Sequence, residues 1–205
     1  MKFNSLSLRN KVAKEAASLL YFGVQKEYKQ AKLKAAKTYG VHFLPTNFEV
    51  AIELDKIAEE NEGDTRQNRL IRMRKEAFRI MKILEKYAPV LIGSVWRGTI
   101  TRKSDIDIVV YHDEPDEVLK LIRQNNLKVT QTERTSVTKQ GLKKVSFHIY
   151  LESPTKEKVE VIVRSLEEVG QERKCEIYGD PIIGLHIQEL EKVLEEDSTQ
   201  RFVPF

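Results

Sequence analysis

The segment Asp105-Ile106-Asp107-Ile108-Val109-Val110-Tyr111 constrains this chain more than any other. Carboxylate and aliphatic side chains alternate at its start. On a β-strand that alternation puts Asp105 and Asp107 on one face and Ile106 and Ile108 on the other, toward a core. Two carboxylates held on one rigid face repel each other unless a cation or a proton lies between them. Mg²⁺ accepts such a pair readily and completes its shell with substrate phosphates. Upstream, the apolar run Pro89-Val90-Leu91-Ile92 reads as a buried strand and ends at Gly93-Ser94, with ten residues between it and Asp105. Glycine lets a backbone approach a phosphate closely, and a helix starting there would aim free N–H groups and the Ser94 hydroxyl at the anion. A phosphate cradle beside paired carboxylates suits a nucleotide–metal complex.

Around this strand the hydrophobic pattern changes period. Residues 8–38 repeat Val12, Ala13, Ala16, Leu19, Leu20 and Val24 near helical spacing without proline, which predicts one long helix stopped by Gly40. Thr46-Asn47-Phe48-Glu49 has the form of a capping box and opens a second helix, about 47–61, closed by Gly63. Asp64 caps a third, about 65–87. Beyond Pro89 the spacing predicts strands at 105–111, 127–138, 144–151, 158–163 and 175–178. Gln140-Gly141 supplies a turn, and helices fall at 115–124, 165–172 and 184–196. Helices first and a mixed sheet afterwards give an α+β chain: a helical, largely basic N-terminal region over 1–87, then a sheet domain with flanking helices over 88–205.

Composition narrows the partners. No stretch approaches the length of a membrane-spanning helix and residues 1–20 lack a signal-peptide core, so the expected setting is the cytoplasm without membrane contact. Cys175 is the one cysteine, which excludes an internal disulfide and a thiolate-rich zinc site. Residues 1–40 hold nine Lys/Arg against two Glu, and 64–87 hold eight against three acids. Such a basic front is either a nucleic-acid surface or a solvated, salt-bridged one. The row Arg66-Arg69-Arg72 poses the same choice: a track for an RNA backbone or a solvated helix face. The apolar stripe on each helix needs a partner, in the same chain or in a second copy as a homodimer.

Gly93-Ser94-Val95-Trp96-Arg97-Gly98 followed by Ser104-Asp105-Ile106-Asp107 resembles the signature of the DNA polymerase β-like nucleotidyltransferase superfamily, in its minimal branch. The likeness is carried by residues 91–110, and the order of strands and helices stays compatible to about residue 165. The first three helices resemble the front of uncharacterised archaeal members. The resemblance implies a third carboxylate on an adjacent strand. Glu160, centred in Lys158-Val159-Glu160-Val161-Ile162-Val163, is the candidate, although the family more often has aspartate there; Glu152 is the reserve.

What the resemblance implies further is transfer of a nucleoside monophosphate from an NTP, ATP among them, to a hydroxyl, with release of pyrophosphate. Asp105, Asp107 and Glu160 would hold two Mg²⁺ ions, or Mn²⁺, and Glu160 could serve as general base. Gly93 and Ser94 would bind the β and γ phosphates, with Arg97 and Lys103 as phosphate clamps or plain surface cations. The acceptor expected is an RNA 3′ end or a protein side chain. The alternative is a non-catalytic module of the same fold, binding RNA or acting as an antitoxin-like partner. His112 and His148 are too far apart in sequence to pair, and Trp96 reads as packing.

Overall fold

The computed structural model describes residues 2–139 and 142–204. Helices α1 (Lys2–Tyr21), α2 (Tyr28–Thr38) and α3 (Asn47–Ile83) lead into a sheet, and a 3₁₀ turn at Glu85–Tyr87 joins them to it. Then follow β1 (Val90–Ile92), α4 (Gly93–Arg97), β2 (Ile106–Tyr111), α5 (Pro115–Gln124), β3 (Lys128–Lys139), β4 (Leu142–Glu152), β5 (Lys158–Arg164) and α6 (Ile187–Glu196). The sheet has the order β1-β2-β5-β4-β3. Among the described residues only the β2–β5 pair is parallel; β1–β2, β5–β4 and β4–β3 are antiparallel. The chain is therefore α+β, with N-terminal helices and a mixed five-stranded sheet flanked by helices.

The helix expected over 8–38 is two helices. Gly23 takes a φ of 74°, and its N–H closes a turn onto the Leu20 carbonyl, ending α1. A straight helix advances about 1.5 Å per residue, so it would carry the alanines of α2 away from those of α1. The turn instead brings Val12, Ala13, Ala16 and Ala17 of α1 and Ala31, Ala35 and Ala36 of α2 into one small core with Val50, Ile57 and Ala58 of α3. The two helices expected over 47–61 and 65–87 are the two halves of α3, parted at Gly63, whose backbone is not helical (φ 48°, ψ −134°), with the second half ending at Ile83. The capping box at the start of α3 is present: Glu49 N–H donates to the Thr46 hydroxyl, and Thr46 N–H to the Glu49 carboxylate.

A second, larger core begins beyond the kink. Leu70, Met73, Ala77, Ile80 and Met81 of α3, and Leu84 just after it, pack with the inward face of the sheet, which presents Ile106, Ile108, Val110, Val159, Val161, Val163, Ile149 and Leu151. Val118 and Ile122 of α5 and Leu190 and Val193 of α6 complete it. The strand expected at 175–178 is a turn, closed by Gly179 N–H on the Cys175 carbonyl with a single bridge between Lys174 and Pro181. Among the described residues no strand lies beside it to pair with. The helix expected at 165–172 is one 3₁₀ turn, Leu166–Glu168, cut short before Gly170. The turn expected at Gln140-Gly141 lies outside the described residues.

The Arg66-Arg69-Arg72 row is not a free track for RNA: it runs from buried Arg66 through half-buried Arg69 to exposed Arg72, and each is paired with an acid. Arg66, 5% exposed, is paired with Asp55 and Glu59 and donates to the Ile100 carbonyl at 2.7 Å. Arg69 and Arg72 both reach the buried Glu157, at 2.8 Å each. Arg69 also donates to the carbonyls of Thr101 (2.7 Å) and Ser104 (3.0 Å), and so ties down the loop before β2. Burial would push the Glu157 carboxyl up, but the hydrogen bonds and charges of Arg69 and Arg72 outweigh it and hold the group below its ordinary value. A depressed folded-state value gives stability that is complete above the ordinary glutamate range and fades as pH falls through the depressed value. Glu157→Gln is therefore expected to cost on the order of 2 kcal/mol at pH 7, as for hydrogen bonds to a buried charge. In urea melts the gap from the native sequence should shrink as the pH drops below 4.5.

Candidate active site

The register of three strands assembles the carboxylates. Ile92 at the end of β1 pairs with Asp107 on β2, and Asp107 pairs in turn with Glu160 on the parallel strand β5. Asp105 lies one residue before β2, on the same side as Asp107 by alternation. Gly93 follows Ile92 directly and takes a φ of 72°, a conformation that a side chain rarely adopts. A Cβ at this position would lie 2.0 Å from an Asp107 carboxylate oxygen. Glycine is thus required twice over, for the turn into α4 and for room beside Asp107.

The electrostatics follow from that crowding. Burial, then the charges of Glu160 and Asp105, push the Asp107 carboxyl up to about 7. Burial likewise raises Asp105, with Lys158 opposing and Glu160 reinforcing the shift. Lys158 and Arg69 are the cations that bear on Asp105. This is a cluster of oxygen donors short of positive charge. Its chemistry suits a hard divalent cation such as Mg²⁺ and offers no sulfur ligand. Among the described residues, however, no three His, Cys, Asp or Glu side chains already stand as a closed metal cage. Glu160 is turned partly toward His148, whose Nδ1 lies 2.6 Å from Oε1 of the glutamate.

Of the other residues expected at the site, Ser94 sits in the first turn of α4, half-buried. Arg97 is not a surface cation. It is 4% exposed, donates to both Asp180 oxygens (2.7 and 3.0 Å) and to the Phe202 carbonyl (3.0 Å), and stacks between Trp96 and Tyr178. It fastens α4 to the C-terminal segment. Lys103 is exposed and points under the α1–α2 turn, where a Cβ on Gly23 would meet its ammonium. It borders a cleft of about 450 Å³ that also includes Tyr21, Tyr28 and Lys26. Glu152, the reserve carboxylate, pairs with Lys128 at 2.8 Å at the end of β4.

Sequence reasoning passed over three groups that shape the site. Arg74, fully buried, donates to the carbonyls of Val95 (3.1 Å) and Trp96 (2.9 Å) at the end of α4 and to those of Ser198 and Gln200. Burial lowers its guanidinium to about 10. His148 and Tyr150 share the open face of β4, and burial and the Glu160 charge raise the Tyr150 hydroxyl. The signal for His148 was present. It alternates with the apolar Phe147 and Ile149, so it must face away from the core.

The raised Asp107 has a measurable consequence. Between the ordinary value of 3.8 and about 7 the folded chain keeps a proton that the unfolded chain has released. Stability therefore falls as pH rises through that window and stays low above it. Asp107→Asn is expected to raise the melting temperature of the metal-free protein at pH 8 by roughly 3 °C or more for a chain of this size. The gain should disappear below pH 4, and differential scanning fluorimetry across pH checks it.

A family model described as the nucleotidyltransferase domain matches residues 74–180, just over half of the chain. No curated protein sequence matches it. Among solved structures it is similar to the Cid1 poly(U) polymerase, at 14% identity and a TM-score of 0.32 over 57% of this chain and 39% of that one. The GLD-2/RNP-8 complex aligns at 13% identity, with a TM-score of 0.33 over 59% of this chain and 45% of that one. A cytoplasmic RNA terminal U-transferase aligns at 16% and 0.28, over 57% and 34%. The chain spans less than half the length of these structures. By its family match, in line with the Gly-Ser and Asp-x-Asp signature, the chain belongs to the nucleotidyltransferase domain family of the polymerase β-like superfamily.

Proposed function

We propose that this chain is a metal-dependent nucleotidyltransferase that moves a nucleoside monophosphate from an NTP to a hydroxyl on an RNA 3′ end or a protein, releasing pyrophosphate. The observation that carries the reading is the register Ile92–Asp107–Glu160. It sets a glycine turn and two carboxylates side by side, with Asp105 adjoining.

In this reading Asp105, Asp107 and Glu160 are the ligands for two Mg²⁺ or Mn²⁺ ions. Such ions, when bound, neutralise the triphosphate and lower the pKa of the acceptor hydroxyl. Gly93, lacking a side chain, leaves room for the phosphates, and Ser94 offers them its hydroxyl. Glu160, at the far side of Asp107 from Gly93, would serve as the general base that takes the proton from the acceptor oxygen. Asp107, whose carboxyl burial and the neighbouring charges push up to about 7, would give up its proton to hold a cation. Arg97, already committed to Asp180, serves by holding α4 rather than by touching phosphate. Lys103 lies on the loop before Asp105 and faces the cleft at Gly23, where it would meet an approaching substrate rather than the reacting phosphate. Reaction in the cytoplasm, and pairing of two copies, complete the reading.

The assay is direct. The protein is incubated with each α-³²P-labelled NTP, Mg²⁺ or Mn²⁺, and total RNA or cell extract, beside an Asp105→Ala/Asp107→Ala control. Label is expected on RNA or protein, reduced at least ~10³-fold in the control, as when a group that stabilises the transition state is removed. Absence of label under every metal and NTP, with tight binding of RNA or protein retained, would favour a non-catalytic binding module instead.

A further inference from the structure

We propose that His148 is a positioning residue that fixes the Glu160 carboxylate for cation binding, through a hydrogen-bonded chain running back into the β3–β4 hairpin. The inference rests on Glu160 being the third carboxylate of the site, as proposed above.

Glutamate has one more rotatable bond than the aspartate usual in this family. Left alone, its carboxylate would sweep across the open face of the sheet, and a cation would have to order it on binding. Here the sheet removes that freedom. Glu160 pairs with Asp107 on one side and Tyr150 on the other, in one row across β2, β5 and β4. His148 stands two residues from Tyr150 on the same face of β4, with its ring 6.4 Å from the Tyr150 ring and nearly parallel to it. Its Nδ1 approaches Glu160 Oε1 at 2.6 Å, while its Nε2 lies 2.8 Å from the Ser146 hydroxyl and 2.9 Å from that of Thr135. Those two hydroxyls are 2.8 Å apart.

Either hydroxyl can donate to His148 Nε2, and the shorter contact gives one arrangement that links the chain end to end. Thr135 donates to Ser146, Ser146 donates to His148 Nε2, and His148 Nδ1–H donates to Glu160 Oε1. The side chains are half-buried, at 16% exposure for His148 and 22% for Glu160, so water competes weakly for the contact. Thr135 and Ser146 are register partners on β3 and β4, so the ring is held by backbone pairing rather than by a loop. With Oε1 held by His148, the carboxylate still hydrogen-bonds the Asp107 side chain, the contact that a cation between the two would replace. A histidine that orients a ligating carboxylate in this way belongs to the shell that tunes metal affinity.

The test needs no nucleotide. Mn²⁺ binding to the full chain is measured by electron paramagnetic resonance for the native sequence, His148→Ala, His148→Asn, Thr135→Ala/Ser146→Ala and Asp107→Asn, with circular dichroism melts to verify folding. His148→Ala is expected to weaken Mn²⁺ binding about tenfold or more. Thr135→Ala/Ser146→Ala, which keeps the histidine but frees its ring, should give a smaller loss. Asparagine can place an amide N–H near the position of Nδ1, so His148→Asn should recover most of the affinity. Affinity unchanged in a folded His148→Ala, or equal losses in the alanine and asparagine variants, would overturn the clamp. If Asp107→Asn binds Mn²⁺ as tightly as the native chain, the carboxylate site itself falls, an outcome distinct from loss of the clamp alone.

Discussion

The active-site face depends on guanidinium groups of α3 that donate to backbone carbonyls rather than only to acids. Arg74 holds the carbonyls of Val95 and Trp96, and Arg66 and Arg69 hold those of Ile100, Thr101 and Ser104. The first pair ends α4, the helix that follows the glycine turn; the others line the loop that delivers Asp105. A five-residue helix has too few internal hydrogen bonds to hold its own position. A loop between two strands is similarly free unless its carbonyls are bound. Arginine suits the task because its planar fork serves several acceptors at once. The part of α3 beyond Gly63 thereby sets both loops relative to the sheet. Arg102 ties the same loop to the N-terminal helices by packing over the rings of Tyr21 and Phe22.

Given that frame, the chemistry of the site follows from register. Parallel pairing of β2 with β5 brings Asp107 beside Glu160 although more than fifty residues separate them in sequence. Close, half-buried carboxylates cannot all ionise without cost, and a proton on Asp107 near neutral pH is the least costly relief in the free chain. A divalent cation would relieve the same strain more completely. The buried pairs elsewhere behave differently: Glu157 sits between two arginines and stays ionised, and Arg97 is matched by Asp180. Negative charge is left uncompensated at the site and compensated around it.

How much of this was legible in the sequence depends on whether neighbours along the chain or across it decide. Local features were: the strand at 106–111, the helix at 115–124 and the capping box at Thr46 all rest on residues within one or two turns. The break at Gly23 was missed because alanine and lysine propensities favour helix on both sides, and only the shared small core of α1, α2 and α3 repays a turn there. The segment 175–178 read as a strand because alternation is visible in sequence and a missing partner strand is not. Arg66, Arg69 and Arg72 looked like a surface stripe, since Asp55 and Glu59 come from other turns and Glu157 from the loop before β5. At the site, Gly93, Ser94, Asp105 and Asp107 stood out by spacing, whereas the role of His148 needed the register of β4 on β5.

The central claim is that Asp105, Asp107 and Glu160 form one cation-binding site beside the Gly93 turn. It is tested most directly by a crystal structure grown with Mn²⁺ and a non-hydrolysable NTP analogue, with the metal located by anomalous scattering. The account predicts an anomalous peak within bonding distance, about 2.2 Å, of oxygens from Asp107 and at least one of Asp105 and Glu160, with the triphosphate lying over Gly93 and Ser94. Nucleotide bound elsewhere, or no peak at these carboxylates under saturating Mn²⁺, would contradict it.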